Sequence, residues 1–148
     1  MKILFLDFDG VIKPLHQEFS KDCVARVVML LNREPQLRIV ISSSWRAQGL
    51  QACRGILAGL GVDPVKVIDV TEGQPEHALT TRDHHVKKWL RDHPVDNFVI
   101  LDDMAEMPDF KSKYVLTNSR VGITDKDVDR ALDILKQGKY GAPQKKEE

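Results

Sequence analysis

Cysteine is scarce in this sequence, which contains only Cys23 and Cys53. The two lie far apart and lack any spacing typical of a metal site, so we expect neither a zinc finger nor a disulfide-stabilised scaffold. Both fall in predicted helices, where they are expected to be buried as small apolar residues. This cysteine usage favours a reducing, cytoplasmic environment.

The sequence also lacks an excess of charge and any long apolar run. Lysine plus arginine and aspartate plus glutamate each number 22, so no overall positive field attracts nucleic acid or an anionic membrane. Asp7 and Asp9 interrupt the apolar start before it reaches signal-peptide length, and no other stretch is long enough to span a bilayer. We expect one soluble domain over residues 1–140 and a flexible tail over 141–148.

Short apolar runs alternate with helical patterns along the chain. Buried strands are predicted over 3–6, 37–41, 65–70, 98–101 and 114–116. Apolar residues at helical spacing predict four helices, the last of which begins near Thr124 with Asp127 as capping partner. This order predicts an α/β, doubly wound, Rossmann-like three-layer fold with a mostly parallel five-stranded sheet.

In such a fold, ligands bind beyond the carboxyl ends of the strands, and three predicted strand ends carry polar side chains. They read Asp7-Phe8-Asp9-Gly10, Ser42-Ser43-Ser44 and Asp102-Asp103. Asp7 and Asp9 point to the same side because side chains alternate along a strand, and Gly10 permits a sharp turn. Carboxylates sharing a crevice repel one another unless a cation neutralises them, and oxygen ligands select a hard ion such as Mg²⁺.

These strand ends resemble the motifs of the haloacid dehalogenase (HAD) superfamily of phosphohydrolases. The matching stretches are LFLDFDGV at 4–11, VISSSWR at 40–46 and FVILDD at 98–103. The resemblance covers nearly the whole chain and extends to small capless members, including phosphatase-like domains of RNA-repair proteins. It implies a HAD-like fold without a cap domain, Mg²⁺ as cofactor, and hydrolysis of phosphoric monoesters through an aspartyl-phosphate.

The resemblance also implies roles for the four aspartates. Asp7 is then the nucleophile, and Asp9 is the general acid and base. Mg²⁺ is expected on the carboxylates of Asp7 and Asp102 and on the backbone carbonyl of Asp9, with Asp103 as a second ligand or an outer partner. An acid at position 9 favours a phosphatase, because dehalogenases lack it and pump-type relatives carry threonine there.

The phosphate-binding residues are expected to come from three parts of the chain. From the first motif, we expect Gly10 to bind phosphate. Among the serines, Ser43 aligns best and Ser42 is the alternative, while one serine of the run caps the following helix.

The family's usual lysine has no clear match, and the candidates are Arg82, Lys87 and Lys88. Arg82 is favoured because the start of a helix faces the crevice. Lys87 and Lys88 are then expected to be solvated.

Some side chains near these motifs have simpler interpretations. The Asp-x-Asp-Gly sequence alone is also compatible with a turn or a calcium loop. His84 and His85 beside Asp83 suggest zinc, but adjacent histidines on a helix point in different directions, which favours a solvated face. Trp45 is expected to pack at the rim of the site.

Two other functional classes compete with a phosphatase. A receiver-like signalling domain also uses paired aspartates, but it places them after the first strand and its hydroxyl after the fourth, the reverse of the order here. A domain that binds phosphorylated ligands without catalysis is the other alternative, and an intact Asp7 and Asp9 argue against it.

The substrate is expected to be large because neither usual cap position has room for a domain. A phosphorylated polynucleotide end or a phosphoprotein fits an open site, whereas oligomerisation would let a neighbouring subunit cover a small phosphate ester. A basic rim for a large partner could draw on Arg46, Arg54, Arg82, Lys87 and Lys88.

Overall fold

The computed structural model describes residues 1–72, 82–104 and 107–137. Its strands are β1 (Lys2–Leu6), β2 (Leu37–Ile41), β3 (Val67–Val70), β4 (Asn97–Asp102) and β5 (Tyr114–Leu116). All neighbouring strands pair in parallel, in the order β3-β2-β1-β4-β5. The chain therefore reverses its direction of winding at β1, which places the ligand crevice of a doubly wound sheet at the end of that strand. The predicted fold class is confirmed.

The helices begin and end where the capping signals of the sequence lie. They are α1 (Lys21–Arg33), α2 (Leu50–Gly59), α3 (Arg82–Asp92) and α4 (Asp125–Lys136). Thr124 and Asp127 form the predicted capping box of α4. After α2, Gly61 has a positive φ of 106°, and its amide and that of Val62 return to the last-turn carbonyls.

Alternating strand side chains divide the apolar interior between the two faces of the sheet. Leu4 and Leu6 pack with α1, α2 and α4 on one face, whereas Phe5 packs with α3 on the other. Cys23 and Cys53 are buried on the first face, as predicted. β3 starts later than expected because Pro64–Lys66 forms a short 3₁₀ turn capped by Asp63.

The connection after β1 is a compact turn held by a distant part of the chain. The Phe8 carbonyl accepts hydrogen bonds from three amides within the turn, at 3.1, 3.0 and 2.9 Å. Thr117 Oγ1 donates to the Gly10 carbonyl at 2.7 Å, and the amides of Leu15 and Ile123 complete the contact with the loop between β5 and α4. These residues form no cap domain, in agreement with the sequence.

Parts of the predicted organisation fall outside the described residues. The other cap position comprises residues 71–81, of which 73–81 lie outside, as does the predicted tail at 141–148. Within the described ranges, every helix is too short or too polar to cross a membrane.

Candidate active site

Three aspartates meet at the carboxyl ends of β1 and β4. Because Leu6 pairs with Leu101 in the sheet, the next residues, Asp7 and Asp102, emerge side by side. One carboxylate oxygen from each of Asp7, Asp102 and Asp103 lies within 4.8 Å of the others. Asp7 and Asp102 are fully buried, and Asp103 is half-buried. The topology thus brings together acids that are distant in sequence.

The guanidinium of Arg82 lies between two of these acids. Its Nη1 atom is 2.7 Å from Asp7 Oδ2 and 2.9 and 2.8 Å from the two carboxylate oxygens of Asp102. Burial opposes its charge, but the attraction of Asp102 and Asp7 is stronger and raises the pKa of Arg82. Arg82 therefore remains a cation at any pH at which the protein works.

The two alternative cations on α3 pair with other residues. Lys87 forms an exposed ion pair with Asp109, and Lys88 lies 3.3 Å from Glu72. Of the three candidates, the structure brings only Arg82 to the acidic cluster. The first helical position of α3 accounts for this, because it faces the strand ends.

One guanidinium does not neutralise this cluster. Burial and repulsion from Asp102 raise the pKa of Asp7 to about 8, although Arg82 acts in the opposite direction. The pKa of Asp103 is also raised, first by burial and then by Asp102. Both shifts indicate an excess of negative charge in a poorly solvated place, which favours a further cation.

The same residues fit a magnesium ion. Asp7 Oδ2 is buried and accepts no well-aligned hydrogen bond within the described part of the chain, since its short contact with Arg82 is an ion pair of poor hydrogen-bond geometry. The available ligands are carboxylate oxygens, which are hard donors. The Asp9 side chain lies outside the cluster, so its predicted part in metal binding depends on its main-chain oxygen alone.

Gly10 is required by the close approach of Asp103. Its φ is +80°, and a Cβ at this position would lie 2.1 Å from Asp103 Oδ2. A side chain here would displace the acid from the cluster. The predicted contact of Gly10 with phosphate is a separate matter and stays a prediction.

The Asp9 side chain is half-exposed and forms a hydrogen bond that the sequence did not predict. Trp45 Nε1 donates to Asp9 Oδ2 at 3.0 Å, and Lys13 Nζ lies 4.0 Å from Asp9 Oδ1. Trp45 also packs against Phe8 and Phe19, so the predicted packing role is correct but incomplete.

The serines after β2 have different surroundings. Ser43 caps the 3₁₀ segment Ser44–Gln48, and its Oγ accepts a hydrogen bond from the Trp45 amide at 3.2 Å. Ser42 is also buried, but its hydroxyl has no hydrogen-bond partner in the described residues. Ser43, the first candidate for binding phosphate, is therefore a helix cap. The buried hydroxyl without a hydrogen-bond partner is that of Ser42, the alternative candidate.

A family model described as "HAD domain in Swiss Army Knife RNA repair proteins" matches residues 3–128, which include both strand-end aspartate motifs and the serines. The chain belongs to this family. Comparisons with curated proteins and with solved structures found no significant match. Membership in the HAD family supports a phosphohydrolase of the HAD type, and the expected resemblance to RNA-repair domains is confirmed.

One sequence-based expectation for this HAD domain is wrong. His85 was expected on a solvated face, yet it is buried with only 7% of its surface exposed, because it shares a face of α3 with Val86 and Trp89. His84 is exposed, as expected. Among the described residues, the metal-capable group consists of aspartates alone, so zinc has no histidine site there.

The residues of the predicted basic rim have partners within the protein. Arg54 donates to the Val67 carbonyl at 2.7 Å, and Arg46 donates to the Ser43 carbonyl at 3.4 Å. Carbonyl oxygens are neutral, so Arg46 and Arg54 keep their positive charge, and the basic rim stays a prediction.

Proposed function

We propose that this HAD domain is a Mg²⁺-dependent phosphoric monoester hydrolase that acts through an aspartyl-phosphate on Asp7. The observation that carries the proposal is the buried Asp7 carboxylate beside Asp102, Asp103 and the Arg82 guanidinium at adjacent strand ends. A buried carboxylate that is held next to a cation is suited to attack a phosphate, which itself carries negative charge.

The first chemical step transfers the phosphoryl group to the protein. A carboxylate oxygen of Asp7 forms a bond to phosphorus while the bond from phosphorus to the ester oxygen breaks. Asp9 gives its proton to that leaving oxygen. Arg82 and the hydroxyl of Ser42 would contact the phosphate oxygens, since Arg82 reaches Asp7 at the end of β1 and Ser42 follows the adjacent strand β2.

The second step releases inorganic phosphate. Asp9, now ionised, takes a proton from a water molecule whose oxygen bonds to phosphorus. The bond between phosphorus and the Asp7 oxygen breaks, which restores both carboxyl groups to their starting forms.

Asp7, Asp102 and Asp103 would hold the magnesium ion, together with the Asp9 backbone carbonyl. When bound, the ion supplies positive charge that offsets the repulsion between the nucleophile and the phosphate. Without it, the acidic cluster would resist an anionic substrate.

For the substrate, we propose a phosphorylated polynucleotide end. The family description names RNA-repair proteins, and residues 7–20 form a tight turn in place of a cap. An open site takes its specificity from binding far from the reacting phosphate, which a long substrate provides. Arg82 and a bound magnesium ion would offset the charge of the phosphate itself.

Phosphate release by the purified protein tests both parts of the proposal. We expect Mg²⁺-dependent hydrolysis of p-nitrophenyl phosphate that EDTA stops, and faster hydrolysis of 3′- or 5′-phosphorylated oligonucleotides than of phosphopeptides or sugar phosphates. Acid quenching should trap a phosphoprotein that hydroxylamine cleaves, as an acyl phosphate requires. Absence of phosphate release with every substrate would reject the catalytic proposal, and preference for a phosphopeptide or a small ester would reject the polynucleotide alone.

A further inference from the structure

The hydrogen bond between Trp45 and Asp9 joins two motifs that are separate in sequence. Asp9 has 50% of its side chain exposed, and a carboxylate with that exposure ordinarily samples several rotamers. Here the indole Nε1 of Trp45 lies 3.0 Å from Asp9 Oδ2 and restrains it. A restrained carboxyl group is better placed to exchange a proton with a bound substrate.

The indole donor is itself firmly placed. Its ring centroid lies 6.0 Å from that of Phe8 and 5.4 Å from that of Phe19, and those two rings are 5.8 Å apart. The Trp45 amide donates to Ser43 Oγ, so the short 3₁₀ turn after the serines also positions the indole. The three rings form a rigid support beside the Asp9 turn.

We propose that Trp45 is a positioning residue that assigns the two oxygens of Asp9 different tasks. An indole N–H only donates, so Oδ2 accepts its bond and cannot carry a proton toward Trp45. Oδ1 is then the oxygen that gives the proton to the leaving group and later takes one from water. Trp45 neither gains nor loses a proton itself. This inference rests on the proposed phosphatase function.

The proposal predicts a dependence on the leaving group. Loss of the indole N–H frees the Asp9 carboxyl to rotate. Phosphorylation of Asp7 is then slowed most for a leaving group that must be protonated as it departs. An alkoxide leaving group needs the proton, whereas dinitrophenolate leaves without one. A general loss of structure would slow both reactions by the same factor.

The test replaces Trp45 by phenylalanine, which keeps an aromatic ring and removes the donor. Single-turnover phosphorylation of Asp7 is measured with 2,4-dinitrophenyl phosphate and with an alkyl phosphate. We expect Trp45→Phe to slow the alkyl phosphate about 10-fold, as for loss of a hydrogen bond to a charged group, and the dinitrophenyl ester less than about 2-fold. In Asp9→Asn, adding Trp45→Phe should change neither rate further.

Trp89 provides a matched control elsewhere in the protein. Its indole Nε1 donates to Asp69 Oδ2 at 2.8 Å, also from a tryptophan to an aspartate but outside the acidic cluster. Trp89→Phe should therefore leave the ratio of the two substrate rates unchanged, whatever it does to thermal stability.

A second measurement does not depend on the folding of the Trp45 variant. The chain has two tryptophans, so NMR shows two indole N–H signals, and Asp9→Ala should accelerate hydrogen exchange of the Trp45 signal about 10-fold without affecting that of Trp89. Unchanged exchange, or an equal loss for both substrates in Trp45→Phe, would overturn the positioning role while the phosphatase proposal stood. A wild-type protein that releases no phosphate would instead reject the phosphatase proposal.

Discussion

Polar groups at the two ends of the parallel sheet differ in how well they are paired. At the amino end, Asn97 donates from Nδ2 to the carbonyls of Ile134, Leu135 and Gln137, and so completes the last turn of α4. At the carboxyl end, three acids lie close together and two of them contact one guanidinium, while a buried oxygen of Asp7 accepts no aligned hydrogen bond in the described residues.

This difference indicates what each end contributes. Polar groups with matched partners stabilise the fold, as also seen in the ion pair between Lys2 and Glu34 at the amino end. Crowded like charges destabilise it unless a ligand is bound, which is typical of functional sites. Substitutions at the two ends should therefore separate activity from stability.

The largest effect is expected from Asp7→Asn. An amide is a poor nucleophile, so turnover should fall by more than about 10⁴-fold. Stability in EDTA should rise, because this carboxyl, with its pKa raised to about 8, stays protonated in the fold while it ionises in the unfolded chain, which favours unfolding of the wild type. The gain in the free energy of unfolding should be absent below about pH 4, where the wild-type carboxyl is protonated in both the folded and the unfolded state. It should grow toward pH 8.

Melting curves of wild type and Asp7→Asn across this pH range, in EDTA, provide the measurement. A variant that is less stable than wild type at pH 7 would show that Arg82 compensates the charge fully, and the contrast between the two ends would disappear. Wild-type-like turnover by Asp7→Asn would remove the nucleophile from the mechanism.

Gly10→Ala should have the next largest effect on activity. The added Cβ would collide with Asp103, and the positive φ of Gly10 disfavours alanine. We expect Mg²⁺ affinity to fall about 10- to 100-fold, as when a supporting partner of a metal ligand is lost. Titration of activity with Mg²⁺ measures this, with Gly55→Ala as control, since a Cβ at Gly55 meets nothing within 4 Å.

Asn97→Ala should affect stability alone. It leaves the buried carbonyls of Ile134 and Leu135 in α4 without this donor, at a cost of about 1–3 kcal/mol in the free energy of unfolding. The catalytic rate per folded molecule should not change, because Asn97 and Asp102 lie at opposite ends of β4. Denaturant unfolding and phosphate release on the same samples would test both statements, and a lowered catalytic rate would contradict the second.

Lys2→Met should give the smallest change. It removes an ion pair in which both side chains are partly exposed, and such pairs contribute about 0–1 kcal/mol. Urea titration should find a shift within this range. A loss as large as that of Asn97→Ala would mean that the amino end depends on charge more than on hydrogen bonding.

The fold was accessible from sequence because its elements carry strong local signals. Buried parallel strands appear as short apolar runs, and Thr124 with Asp127 marks a helix start without ambiguity. The strand-end aspartates were accessible for the same reason, since sheet topology alone brings Asp7 and Asp102 together.

Features that depend on where a side chain points in the folded protein could not be predicted from the sequence. The sequence could not distinguish the capping Ser43 from the buried Ser42, because the choice depends on how the chain turns into the 3₁₀ segment. It also gave no sign that the Trp45 indole reaches Asp9. His85 was misplaced because the apolar face of α3 is wider than its apolar residues alone indicate.

The turn after the proposed nucleophile is completed by residues more than one hundred positions later in the chain. Thr117 binds the Gly10 carbonyl, and Gly122 lies so close that a Cβ there would be 2.5 Å from the Val11 carbonyl oxygen. During synthesis, a nascent chain that has not yet exposed this loop lacks the clamp on its first motif. Catalytic competence should therefore arise late in translation, so that a ribosome-bound fragment carries the aspartates without the geometry to use them.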